Sequence, residues 1–273
     1  MLQELPPITA ENYQVYEHLD EVKAYEVPIY RASFVKQVAK RGNVASASVP
    51  MTSSLSMDMG TAVHVGLLEP HKFDMYKVRD WDLRTTEGKR LQQESESDPY
   101  TYLKQADYDR VQWMVESVRS RPAIVEYLDS PTAKVEFALL GWYAHNDIAV
   151  KSMVDLHSEQ TLLDVKTTRS IGDFNKAFFD LYYDIQMAIY ALNCCNNGFR
   201  IDGGVKMIVV ENEPPFQSQL VDVPADAVTI GFQRADEAFD IIREAKRKQD
   251  DRVAEQADLI IPHWLRSKYR EDA

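Results

Sequence analysis

Three short β-type runs follow one another between Ala133 and Thr168: "AKVEFALLGWYA", "DIAVKSMVDL" and "TLLDVKTT", each set off by turn-like residues. Such runs read as a meander of neighbouring strands. A long amphipathic helix is predicted next over "FNKAFFDLYYDIQMAIYALNCC". Two more strands follow over "GGVKMIVVE" and "FQSQLVDVP", and then a helix over "ADAVTIGFQRADEAFDIIREAKRKQ". Strands interleaved with helices limit the chain to an α/β fold.

The text before Ala133 is largely helical. Residues 9–24 carry Tyr13, Tyr16, Leu19 and Val22 at roughly helical spacing behind a possible Thr9 cap. A second helix is predicted over "RASFVKQVAKRG", with Gly42 as its stop. The Ser-rich "NVASASVPMTSSLSMDM" reads as a loop, and "GTAVHVGLLEP" as a helix that Pro70 ends. From Thr85 to Leu128 the chain again reads as largely helical, over "TTEGKRLQQES" and, after a polar break around Asp98–Pro99, over "QADYDRVQWMVESVRSRPAIVEYL", with an apolar stripe at Val111, Met114, Val115 and Val118. No internal repeat or linker interrupts it. The expected organisation is one domain over residues 1–273, with a mostly helical part over 1–130 and a sheet-containing core with a C-terminal helix over 131–273.

Composition narrows the function. The 273 residues suffice for a substantial core. The net charge of −12 argues against a basic nucleic-acid coat. It leaves room for a local positive groove beside an acidic metal site. The only cysteines, Cys194 and Cys195, are adjacent, which suits neither a mutual disulfide nor a four-thiolate metal site. No apolar run is long enough to span a bilayer, and "MLQELPPITAENY" lacks the pattern of a secretory signal, so the cytoplasm is the expected location and no membrane partner is expected. A phosphate-binding G-x-x-x-x-G-K-[ST] loop, an H-E-x-x-H helix and a G-x-S-x-G elbow are all missing.

Chemistry concentrates in "MVDLHSEQTLLDVKTTRS", residues 153–170. Strand side chains alternate, so Asp164 and Lys166 share a face while Leu163 and Val165 take the other. If the strands pair through "LHSEQ", Asp155 comes within reach of the same cation as Asp164. Hard divalent ions such as Mg²⁺ prefer carboxylate oxygens. They activate water and neutralise phosphoryl oxygens, while an ammonium aimed at the same place stabilises developing charge. A D-x-K triplet by itself reads equally as a surface ion pair of little energetic weight. The hairpin, the second acid and the following helix favour a site. Glu136 reads either as a further site acid or as a solvated strand residue.

Asp155 followed by Asp164-Val165-Lys166 resembles the PD-(D/E)XK nuclease core, and the surrounding text resembles the RecE-type exonucleases of phages and prophages. "GTAVHVGLLEP", "VDLHSEQTLLDVKTT", "YYDIQMAIYAL" and "VVENEPPF" carry the likeness in the family's order, from about Ser33 to "IPHWL" near the end. One departure is Val154, where the family often has proline before its first acid.

The resemblance implies a central mixed β-sheet flanked by helices and a Mg²⁺-dependent double-strand exonuclease, with Mn²⁺ as a possible substitute. Digestion would run 5′→3′ and leave 3′ overhangs. His64, Asp155, Asp164 and the Val165 carbonyl would hold metal, and Lys166 would be the catalytic lysine. Gln186 and Tyr190 match a Q-x-x-x-Y motif whose spacing puts both on one helical face, to contact DNA or support the lysine. The basic patch of Arg31, Ser33 and Lys36 could hold a DNA phosphate or be solvated surface. Double-stranded DNA ends, a single-strand annealing protein and a homo-oligomeric ring are the implied partners, in a host cytoplasm if the chain is phage-encoded.

Overall fold

The computed structural model describes residues 5–49, 55–143 and 147–248. In chain order its helices are α1 (Asp20–Lys23), α2 (Ala32–Arg41), α3 (Val44–Ala47), α4 (Leu55–Leu68), α5 (Thr86–Ser95), α6 (Gln105–Arg119), α7 (Pro122–Leu128), α8 (Phe174–Asp180), α9 (Tyr183–Asn196) and α10 (Ala225–Lys248). The strands are β1 (Ile29–Arg31), β2 (Tyr76–Val78), β3 (Thr101–Leu103), β4 (Lys134–Tyr143), β5 (Ile148–Ser158), β6 (Thr161–Thr168), β7 (Val205–Glu211) and β8 (Ser218–Val223).

The meander of the sequence is β4–β5–β6, antiparallel throughout. β6 pairs parallel with β7, and β7 antiparallel with β8, so the sheet is mixed. β4 occupies one edge of β5 along nearly its whole length. On the other edge β1 pairs with Ala149–Lys151 and β6 with Leu156–Ser158. Between Lys151 and Leu156, β6 has splayed away from β5. The hairpin that joins them turns on Glu159 and Gln160, with φ of 48° and 55°. Two successive left-handed residues match the twist of a two-residue hairpin, and here neither is glycine or asparagine.

Helices cover both faces. Against one, α4 and α6 pack Ala62, Val63, Leu67, Val111 and Met114 onto Leu163, Val165 and Ile208. Against the other, α2, α9 and α10 pack Val35, Ile185 and Phe239 onto Val154, Leu162 and Met207. α9 and α10 approach closely at Gly231, where a Cβ would lie 2.2 Å from the Asp184 carbonyl oxygen. Gly231→Ala is expected to push these helices apart and cost about 1–3 kcal/mol. A denaturant melt with an unchanged midpoint would contradict this.

Several sequence expectations need correction. Residues 9–24 do not form one helix. A turn at Thr9–Asn12 leads into a 3₁₀ turn at Tyr16–His18 and the short α1. Lys151, fully buried on β5, explains the difference: its ammonium takes the Tyr13 carbonyl at 2.5 Å and pairs with Glu17. The Ser-rich loop is partly helical, holding α3 and the first turn of α4. The predicted long helix is two, α8 and α9, broken at Tyr182 (φ 59°). Arg234 of α10 covers that break, its guanidinium 4.0 Å from the Tyr182 ring centre and 2.6 Å from an Asp184 carboxylate oxygen. The helix expected through Leu128 divides into α6 and α7 at Ser120–Arg121. β1, β2 and β3, three residues each, are too short to carry an alternating pattern and leave no strand signal in the sequence. "IPHWL" lies outside the described residues. Among those residues no helix is long and apolar enough to cross a membrane.

Candidate metal and phosphodiester site

The site begins where β4 and β5 change the faces they present. Regular alternation would put Val135 and Phe137 of β4 on one side of the sheet. Instead Val135 packs with the α4/α6 side and Phe137 with the α2/α9/α10 side. On β5, Leu156 and Val154 divide in the same way. The residues between them are Glu136 and Asp155, and Glu136 has φ of 44°. A left-handed conformation at a non-glycine residue costs energy that surrounding packing must hold in place. Here the kink brings two carboxylates to the point where β6 leaves β5.

Asp155 fills the gap this splaying opens. Its Oδ2 accepts the Val165 N–H at 2.8 Å, so a side chain replaces the missing ladder partner. From the α4 side, His64 Nε2 lies 2.9 Å from the Val165 carbonyl oxygen, while Nδ1 lies 3.4 Å from Asp155 and 3.7 Å from Glu136. Among the described residues, His64, Glu136 and Asp155 form a group whose ligand atoms all lie within 4.8 Å of one another. One imidazole nitrogen and two carboxylates are donors suited to a divalent cation.

Asp164 and Lys166 stand side by side as the alternation requires. Asp164 is completely buried, its Oδ2 ion-paired with Lys166 without accepting an aligned hydrogen bond. Its Oδ1 accepts Gln186 Nε2 at 2.9 Å. Lys166 also donates to the Val165 carbonyl at 3.2 Å and lies 5.2 Å from the Tyr183 ring centre. Lys166 and Tyr183 open on a cleft of about 660 Å³ whose wall also includes His64, Glu136 and Thr167, while Asp164 stays buried behind Lys166.

Electrostatics reflects the crowding of acids. Burial and then the Asp155 charge push the Asp164 carboxyl up to about 6, against the Lys166 ammonium. Burial works to lower the His64 pKa, but Asp155 and Glu136 outweigh it and raise it to about 9. Burial likewise opposes the Lys166 charge, yet Asp164 and Asp155 hold its pKa above the ordinary lysine range. Three carboxylates in one pocket favour every proton and cation they can recruit.

A family described as "PDDEXK-like domain of unknown function (DUF3799)" matches residues 33–262. The chain belongs to that family. Its sheet and flanking helices are those of a PDDEXK-like fold. A solved structure from Eubacterium rectale, named "Putative exonuclease", aligns over 97% of this chain and 99% of its own with a TM-score of 0.60 and 12% identity, a likeness of fold. A second structure, of SSO0001, aligns over 76% of this chain and 85% of its own at 13% identity, but its TM-score of 0.29 supports no argument. No curated protein matches the sequence.

Within this PDDEXK-like domain the residues singled out from sequence fall into two groups. His64, Asp155, Asp164, the Val165 carbonyl and Lys166 converge, with Gln186 against Asp164. Tyr190, one turn after Gln186, is buried on the inner side of α9. The basic patch divides. Lys36 reaches the site, its ammonium 3.3 Å from Gln186 Oε1 and 5.2 Å from the Tyr183 ring centre. Arg31 turns to the N-terminal segment, donating to the Gln14 carbonyl at 3.2 Å, and Ser33 is exposed. Sequence reasoning left Glu136 open, and the kink seats it with His64 and Asp155. It missed Tyr183, though positions 183, 186 and 190 share one helical face.

Proposed function

We propose that this chain is a metal-dependent DNA exonuclease of RecE type, acting on double-stranded ends. The convergence of His64, Glu136 and Asp155 with the Asp164–Lys166 pair at the wall of one cleft carries this reading, with Asp155 and Asp164 buried behind His64, Glu136 and Lys166. His64, Glu136, Asp155, Asp164 and the Val165 carbonyl would hold the ion. A bound Mg²⁺ or Mn²⁺ supplies an activated water and neutralises phosphoryl oxygens.

The chain's own groups do the rest. Lys166 presents its ammonium at the cleft, held by Asp164, the Val165 carbonyl and the Tyr183 ring. There it stabilises negative charge as it builds on the phosphate. Asp155 locks the Val165 peptide, which fixes the direction of its carbonyl. Gln186 holds Asp164 from behind.

The reading extends to 5′→3′ digestion that leaves 3′ overhangs, a ring-shaped homo-oligomer enclosing the duplex and an annealing protein that receives the single strand. The test is digestion of linear duplex labelled separately at each end, with covalently closed circles as a control. Early release of the 5′ label with circles untouched is expected. Circles cut as fast as linear DNA would point to an endonuclease of the same fold. Duplex ends bound without release of nucleotides would point to a catalytically silent end-binding protein.

A further inference from the structure

Five groups make a closed circuit beside the cleft. Lys36 Nζ donates to Gln186 Oε1 at 3.3 Å, and Gln186 Nε2 donates to Asp164 Oδ1 at 2.9 Å. Asp164 pairs with Lys166, and both lysines lie 5.2 Å from the ring centre of Tyr183. Lys36 comes from α2 and the other four from β6 and the first turn of α9.

A glutamine amide has two nearly isosteric ends, an acceptor oxygen and a donor nitrogen. Against a buried carboxylate only the nitrogen end is favourable, because the reversed amide would set a carbonyl oxygen against Asp164. The ammonium of Lys36 has only hydrogens to offer and can bond only the oxygen end. With Lys36 on one side and Asp164 on the other, a single orientation satisfies both.

We propose that Lys36 is a positioning residue, fixing the Gln186 amide so that its N–H faces Asp164 and keeps the Asp164–Lys166 pair in register. This differs from holding a DNA phosphate, the role its place in a basic patch suggested. It rests on the nuclease reading for its consequence in turnover, but not for its structural content.

The experiment is a double-mutant cycle of Lys36→Met, Gln186→Ala and the pair, measuring kcat and KM on a short duplex at saturating Mn²⁺, with melting temperature as a check on folding. A hydrogen bond to a charged group corresponds to about a tenfold change or more, so Lys36→Met is expected to lower kcat about tenfold with KM unchanged. In the Gln186→Ala background the same change should have no further effect. A raised KM, or losses that multiply in the double variant, would overturn the proposal and indicate a direct DNA contact. A second readout needs no activity. In protein with isotope-labelled glutamine side chains, the Gln186 amide protons, assigned by their loss in Gln186→Ala, should exchange slowly in the wild type and quickly in Lys36→Met. Unchanged protection overturns the proposal. An inactive wild-type enzyme that shows the expected loss of protection defeats the nuclease reading and leaves the positioning role standing.

Discussion

Lys166→Ala is expected to reduce Mg²⁺-dependent DNA hydrolysis about a thousandfold while duplex binding persists. Lys166 is the one ammonium that both lines the described cleft and touches the buried acid, being paired with Asp164 and within 3.2 Å of the Val165 carbonyl. Losing it removes the positive charge facing the phosphate and also strands Asp164 in a fully buried position. An uncompensated buried carboxylate takes up a proton, and burial already moves this one upward. The two effects separate by measurement. Assays at saturating metal restore a charged Asp164 and leave only the loss of the ammonium. Lys166→Met, which keeps the aliphatic stem over Tyr183, should lose activity as fully as alanine does. If either variant retains activity within tenfold at saturating metal, Lys166 does not contribute to hydrolysis.

The legible part of this site had a period. The Asp164–Lys166 pair and the β4–β5–β6 meander follow from strand alternation, while helix spacing says only that Gln186 and Tyr190, picked out by resemblance, share a face. The Gly42 stop was equally plain: that residue adopts φ of 72° at the end of α2. His64 was found only through resemblance, since one histidine on an apolar helix carries no pattern of its own. The illegible part depends on breaks in period. Nothing local marks Glu136 for a left-handed backbone, nor Tyr182 for ending α8, because neither is glycine or asparagine. Tertiary partners impose both: the crossing of β4 and β5 between two packed faces, and Arg234 arriving from α10. The N-terminal segment departs from its helical spacing for the same reason. The Tyr13 carbonyl that a helix would use internally is taken by Lys151, 138 residues away. Lys36 shows the limit from another side. Its sequence neighbours suggested a surface patch, yet it alone of the three reaches the site, because α2 packs against α9.

With His64 in the proposed ligand set, proton and metal compete for its imidazole, which predicts a steep pH dependence of ion binding. With its pKa raised to about 9 by Asp155 and Glu136 against burial, His64 is protonated at neutral pH and its pairing with those acids stabilises the fold. That stabilisation is fully present below the unfolded value of 6.5 and is lost as pH rises through about 9. A metal ligand must be neutral imidazole, so ion binding has the opposite slope. Titrating a single group of pKa about 9 gives an apparent affinity about fiftyfold higher at pH 9 than at pH 7. Calorimetry with Mn²⁺ under nitrogen should show this rise, and buffers of different ionisation heat should reveal nearly one proton released per ion at pH 7.5. His64→Gln should bind more weakly and lose the slope above pH 7. A wild-type affinity that stays flat from pH 7 to 9 would remove His64 from the ligand set, leaving Glu136 and Asp155 to hold the ion with Asp164. The acids that make the pocket attractive to a cation are the same ones that load it with a proton, so the pH at which the proposed site takes an ion follows from how far Asp155 and Glu136 crowd His64.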